Sequence, residues 1–147
     1  MNKNFKQASD KEREQMIKLF NQFGVEHYTF TDPDGYDQYD GCFTGRTGNH
    51  VVFEVKNRDC TSAKYDETVV EKSKVDFLKN ETVHMTHEPI IFFFFTDNTC
   101  WIEKIKYDQY YSSWGAESPK TTMGNTEMVM KQFVSFPIDK KKLLLLN

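Results

Sequence analysis

The chain has little of what staples or bends a small protein: 3 cysteines, 4 prolines and 7 glycines in 147 residues. Cys42, Cys60 and Cys100 show no paired spacing, which argues against a disulfide framework or a zinc knuckle and favours reduced thiols in the cytoplasm. No apolar run follows Met1, so no secretory leader is expected. The longest apolar runs, "IIFFFF" and "LLLL", are too short to cross a bilayer, so no membrane partner is expected. Positive charge is not in excess either. A formal net charge of -3 argues against a generally basic nucleic-acid binder, although acids gathered in one site would lower the total and still leave room for a basic face.

What the chain does have is aromatic bulk. Aromatic residues make up 15% of it, thirteen of them phenylalanine, while 28% of residues are charged. That mixture suits a folded protein with a substantial core, of the α/β or α+β class. No internal repeat or linker interrupts it, so a single domain over residues 1–147 is expected.

Several elements can be read directly. Ser9 can cap a first helix, with Glu12 as its capping-box partner and Gly24 as its stop; Met16, Ile17, Leu19, Phe20 and Phe23 form its apolar stripe. "VEHYTF" reads as a short strand and "TDPDGYDQ" as a turn-rich loop. "YDGCFTG" and "NHVVFEVKN" read as two strands of a hairpin around "GRTGN". Capping and periodicity predict a second helix over Ser62 to Lys79, and "PIIFFFFTDNTCWIEKI" a buried strand, a turn and a partner strand. Tyr107 to Thr126 reads as irregular, and "EMVMKQFVSF" as a last strand or short helix before a Lys-rich tail.

The strand from His50 to Asn57 carries the functional signal. Side chains alternate across a strand, so Glu54 and Lys56 share a face with His50 and Val52, while Val51, Phe53 and Val55 line the other. The hairpin places Asp40 at the start of one strand and Glu54 near the end of its antiparallel neighbour, so both carboxylates reach the same end. Two acids held together repel unless a cation lies between them, and hard oxygen donors suit Mg²⁺ or Mn²⁺. Lys56, one residue beyond a backbone carbonyl that can also ligate, is placed to position water or to stabilise charge on a phosphorane. The bland alternative is a surface ion pair between Glu54 and Lys56.

"YDG" with "FEVKNR", in the order helix, three strands, helix, strand, resembles the PD-(D/E)XK nuclease superfamily over about Ser9 to Thr96. The resemblance implies a restriction-endonuclease-like αβββαβ core over about residues 9–106, a mixed central sheet flanked by helices. A β-rich extension would follow over about 107–147. It implies that Asp40 and Glu54 ligate metal and that Lys56 is the catalytic lysine. Tyr39 stands where the family motif often has proline. Relatives often add an acid from the first helix. Of Glu12 and Glu14, only Glu12 falls near the centre of the Met16–Leu19–Phe20–Phe23 stripe. On the second predicted helix Lys74 falls between Val70, Phe77 and Leu78, with Glu67 and Glu71 at the border, so Glu71 and Lys74 join the catalytic candidates.

"SPKTTMGN" reads either as a phosphate-contacting loop through Lys120, Thr121 and Thr122 or as a loop with a capping threonine. Arg58 and Lys131 are further DNA-contact candidates, and Lys140 to Lys142 precede an apolar end that either docks on the core or meets DNA. "DPDGYDQYD" lacks EF-hand spacing, though Asp37 rivals Asp40 as a ligand. "HMTH", with His84 and His87, lacks a third zinc ligand nearby. The expected function is Mg²⁺-dependent hydrolysis of DNA phosphodiesters by a homodimer resembling the Holliday-junction resolvases of the superfamily, selecting DNA shape over sequence. The alternative is an inactive nuclease-fold DNA-binding or accessory protein, and a third reading is action on RNA. Degenerate relatives usually lose an acid or the lysine; here all three positions are filled.

Overall fold

A computed structural model describes residues 3–32, 38–83, 87–120 and 127–147, with side chains of the first helix from Asp10 onward. Helix α1 (Lys3–Phe23) starts well before the expected cap, so Ser9 lies inside it and the Ser9–Glu12 capping box is not formed. Its end is as read: Gly24 turns the chain at φ +70°, a left-handed conformation that glycine adopts without strain. Met16, Leu19 and Phe20 bury the apolar stripe, while Phe23 at the margin is 39% exposed.

Three strands follow, β1 (Tyr28–Phe30), β2 (Gly41–Thr44) and β3 (His50–Asn57). β2 and β3 form the expected hairpin, pairing Gly41 with Phe53 and Thr44 with His50. Strand β5 (Glu88–Phe94) lies parallel to β3, with Glu54 beside Ile91. The large sheet runs β1-β2-β3-β5-β6-β9, where β6 is Thr99–Lys104 and β9 is Leu144–Leu145. It is mixed, since only the β3–β5 pairing is parallel.

Both faces of this sheet are covered, which explains the unbroken "IIFFFF" run. Ile90, Phe92 and Phe94 pack with Val51, Phe53, Val55 and α1 on one face. Ile91, Phe93 and Phe95 pack on the other with Val75 and Leu78 of helix α2 (Lys72–Val83) and with Val134 and Phe136.

The helix expected over Ser62 to Lys79 divides. Glu67–Glu71 is strand β4, and α2 begins only at Lys72. Thr68, Val69 and Val70 are successive β-branched residues, which suit a pleated strand better than a helix. Their partner is β8 (Met128–Pro137), which pairs Val70 with Val134. Residues 107–126 are also not uniformly irregular, because Ser113–Pro119 forms β7 and completes a second sheet, β4-β8-β7. "EMVMKQFVSF" is thus the strand of the two alternatives. β4 belongs to the small sheet, so the large sheet keeps the αβββαβ order. The apolar end docks on the core through Leu143, Leu144 and Leu146. Among the described residues no helix is long and apolar enough to cross a membrane.

One glycine fixes the start of β2. A Cβ on Gly41 would lie 2.6 Å from Phe53 Cζ and would also strike the Thr29 carbonyl oxygen. Gly41→Ala is expected to destabilise the protein by about 1–3 kcal/mol through overpacking. Urea unfolding measures it, and a variant as stable as the parent would show that the strand can shift freely.

Candidate functional site

The β2–β3 hairpin brings two acids to one end of the large sheet. Asp40 immediately precedes β2; its N–H donates to the Phe53 carbonyl at 2.9 Å. Its carboxylate Oδ2 accepts the Val55 N–H at 2.6 Å. Asp40 is therefore fastened from both sides of Glu54. Glu54 is only 6% exposed, and its face of β3 is the one that α2 covers. Lys56 Nζ stands 3.4 Å from Glu54 Oε1, and Lys74 Nζ on α2 stands 3.5 Å from Glu54 Oε2.

Helix α1 supplies the third acid. Glu12 is half-buried and close enough to interact with Asp40, Lys56 and Glu54. Glu14 is exposed, as the helical wheel indicates.

Burial sets the electrostatics. Loss of hydration, then repulsion from Asp40, pushes the Glu54 carboxyl up to about 7, against the pull of Lys56 and Lys74. The Glu12 carboxyl is also pushed up to about 7, first by burial and then by Asp40. Asp40 is raised by burial too, opposed by the Val55 N–H and by Lys56, Lys74 and Arg13. The three acids thus bear on one another electrostatically, and Glu54 Oε2, with Lys74 Nζ 3.5 Å away, is buried without accepting a hydrogen bond. Such an oxygen fits a hard divalent cation. Among the described residues no three His, Cys, Asp or Glu side chains already form a metal cage. Asp40 and Glu54 make a two-carboxylate donor set, the kind Mg²⁺ uses while keeping several waters.

Other candidates lie elsewhere. Glu71 ends β4 and pairs with Lys131 of β8 at 2.8 Å, so both are occupied across the small sheet. Arg58 turns inward rather than toward a phosphate: it donates to Thr68 Oγ1 at 3.3 Å and to the Val69 carbonyl, and lies over the Phe93 ring. Lys140 donates to the carbonyls of Ser62 and Tyr65. Lys120 remains exposed, 3.9 Å from Glu127. Thr121, Thr122, Asp37 and His84 lie outside the described residues. Arg13 was not singled out from the sequence, although it follows Glu12 directly and its charge bears on Asp40. No pattern distinguishes it from other surface arginines.

These elements define a mixed α/β fold of αβββαβ order, with Asp40, Glu54 and Lys56 brought together beside the β2–β3 hairpin. No protein-family model and no curated protein matches the chain. Among solved structures it is similar to Hjc of Archaeoglobus fulgidus, a Holliday junction resolvase from an archaeal hyperthermophile. The TM-score is 0.52 at 11% identity, over 90% of this chain and 88% of that one. The likeness is one of fold, and it spans nearly the whole chain.

Proposed function

We propose that this protein is a metal-dependent endodeoxyribonuclease whose centre is Asp40, Glu54 and Lys56. The observation that carries the reading is the meeting of Asp40 and Glu54 at one end of the hairpin. There a buried glutamate oxygen lacks a hydrogen-bond donor and a lysine stands on the same strand face. Asp40 and Glu54 would hold Mg²⁺ or Mn²⁺, which when bound lowers the pKa of water and neutralises charge on a phosphodiester. Lys56 orients the attacking water and stabilises negative charge as the phosphorus becomes five-coordinate. Glu12, half-buried and close enough to interact with both acids, holds or accepts a proton.

The Hjc-like fold supports DNA, and branched DNA in particular, as substrate. Among the described residues neither sheet offers a helix free to enter a groove and read base edges, so selection by DNA shape fits better than selection by sequence. Exposed Lys120, Lys141 and Lys142 would supply phosphate contacts, with affinity falling as salt rises. One small site cuts one strand, so paired cuts call for a homodimer. The test incubates supercoiled, linear, single-stranded and four-way branched DNA with Mg²⁺, Mn²⁺ or EDTA. Cleavage is expected only with metal and fastest on branched DNA. EDTA-resistant cleavage would remove the metal from the reading; cuts confined to one short sequence on linear duplex would remove shape selection.

A further inference from the structure

The segment entering Asp40 is held at its base by a clasp from α2. Within the segment, Thr31 N donates to the Asp40 carbonyl at 2.9 Å, and Thr31 Oγ1 lies 2.8 Å from the Tyr39 carbonyl oxygen. On the α1 side, Arg13 donates to the Thr31 carbonyl at 2.5 Å. On the α2 side, Lys74 Nζ donates to the Gln38 carbonyl at 2.5 Å, and the Phe77 ring stacks on Tyr39 at 6.4 Å and 13°. Lys74 and Phe77 are three residues apart and so share one helix face. The same Lys74 ammonium lies 3.5 Å from Glu54 Oε2.

One side chain therefore touches both halves of the acid pair: the segment that delivers Asp40, two residues away, and Glu54 itself. We infer that Lys74 is a positioning residue that sets the spacing of Asp40 and Glu54, with the Tyr39–Phe77 stack as its support, and so tunes the affinity of the site for a divalent cation. The inference rests on the metal-dependent reading above.

A simpler role has the opposite sign. Were Lys74 only a counter-charge to Glu54, it would compete with a divalent cation, and removing it would tighten metal binding. A positioning role requires removal to weaken binding, because the carboxylates lose their set separation. Loss of a group that orients metal ligands typically costs 10–100-fold in affinity.

The experiment titrates Mn²⁺ calorimetrically into the parent protein and into Lys74→Met, Lys74→Arg and Phe77→Leu, with thermal melts as the fold check. Cleavage is then measured at saturating Mn²⁺. The Lys74→Met variant is expected to bind Mn²⁺ about 10–100-fold more weakly, Lys74→Arg to recover most of that loss, and Phe77→Leu to weaken binding with no change of charge. At saturating Mn²⁺ the cleavage rate should largely return, because Lys74 acts through the ligands. Tighter or unchanged binding in Lys74→Met, or a rate that stays lost at saturating metal, overturns the inference while leaving the nuclease reading in place. A parent protein that neither binds Mn²⁺ nor cleaves DNA overturns both.

Discussion

Glu54→Gln and Lys56→Ala are each expected to leave a folded protein whose metal-dependent cleavage is slower by about 10²–10⁴. Glutamine keeps the shape of Glu54 but removes the charge that would hold the cation, while the buried site keeps its packing. Alanine at position 56 removes the only lysine within an ion-pair distance of Glu54 on its own strand. Both side chains face away from the Val51–Phe53–Val55 row that packs on α1, so far-ultraviolet dichroism should change little. DNA binding in EDTA should persist, because phosphate contacts come from other lysines. Either variant retaining full Mg²⁺-dependent activity would remove its residue from the centre. Loss of fold together with activity would instead mark a structural role.

The second large effect is on stability. Glu54 and Glu12 have an ordinary value of 4.5 and stand at about 7 in the fold. A group whose folded value is raised favours the fold while protonated. Its contribution is therefore complete below about 4.5 and is lost as pH rises through about 7. A displacement of that size at one buried carboxyl corresponds to about 3 kcal/mol. The metal-free protein is thus expected to lose melting temperature steadily between pH 5 and pH 8. Glu54→Gln should flatten the decline. Mn²⁺ binds the ionised carboxylates, so its stabilisation should grow with pH, reaching about 2.7 kcal/mol at a hundred times the dissociation constant. A melting temperature that is flat or rising over this window in EDTA would contradict the electrostatic account of the site.

The acid pair was legible because it depends on two short-range regularities. Strand alternation puts Glu54 and Lys56 on one face, and hairpin antiparallelism brings Asp40 to them. The 100° helical step likewise separated Glu12 from Glu14. Failures came where distant pairing decided the outcome. Val70 reads as part of a helical stripe until β8 offers it a ladder, and β8 lies some sixty residues further on. Glu71 enters the catalytic set only through that helical reading and is instead ion-paired with Lys131. Arg58, a DNA-contact candidate from the sequence, lies just past β3 and turns in to hold β4. No local pattern announces such a choice, since the partner carbonyl comes from a different sheet.

The "IIFFFF" segment has a cost outside the native state. Ile90 to Phe95 are all buried, with β3 on one side and β6 on the other, so in the folded protein no edge of this strand is on offer. In an unfolded chain the same six residues have strong β preference, no charge and no proline, the signature of a segment that stacks with its copies into cross-β aggregates. Once a chain opens far enough to free β5, refolding competes with self-association, and heat inactivation becomes dependent on protein concentration. Substitutions that loosen the β2–β3 hairpin would then show up first as lost soluble yield.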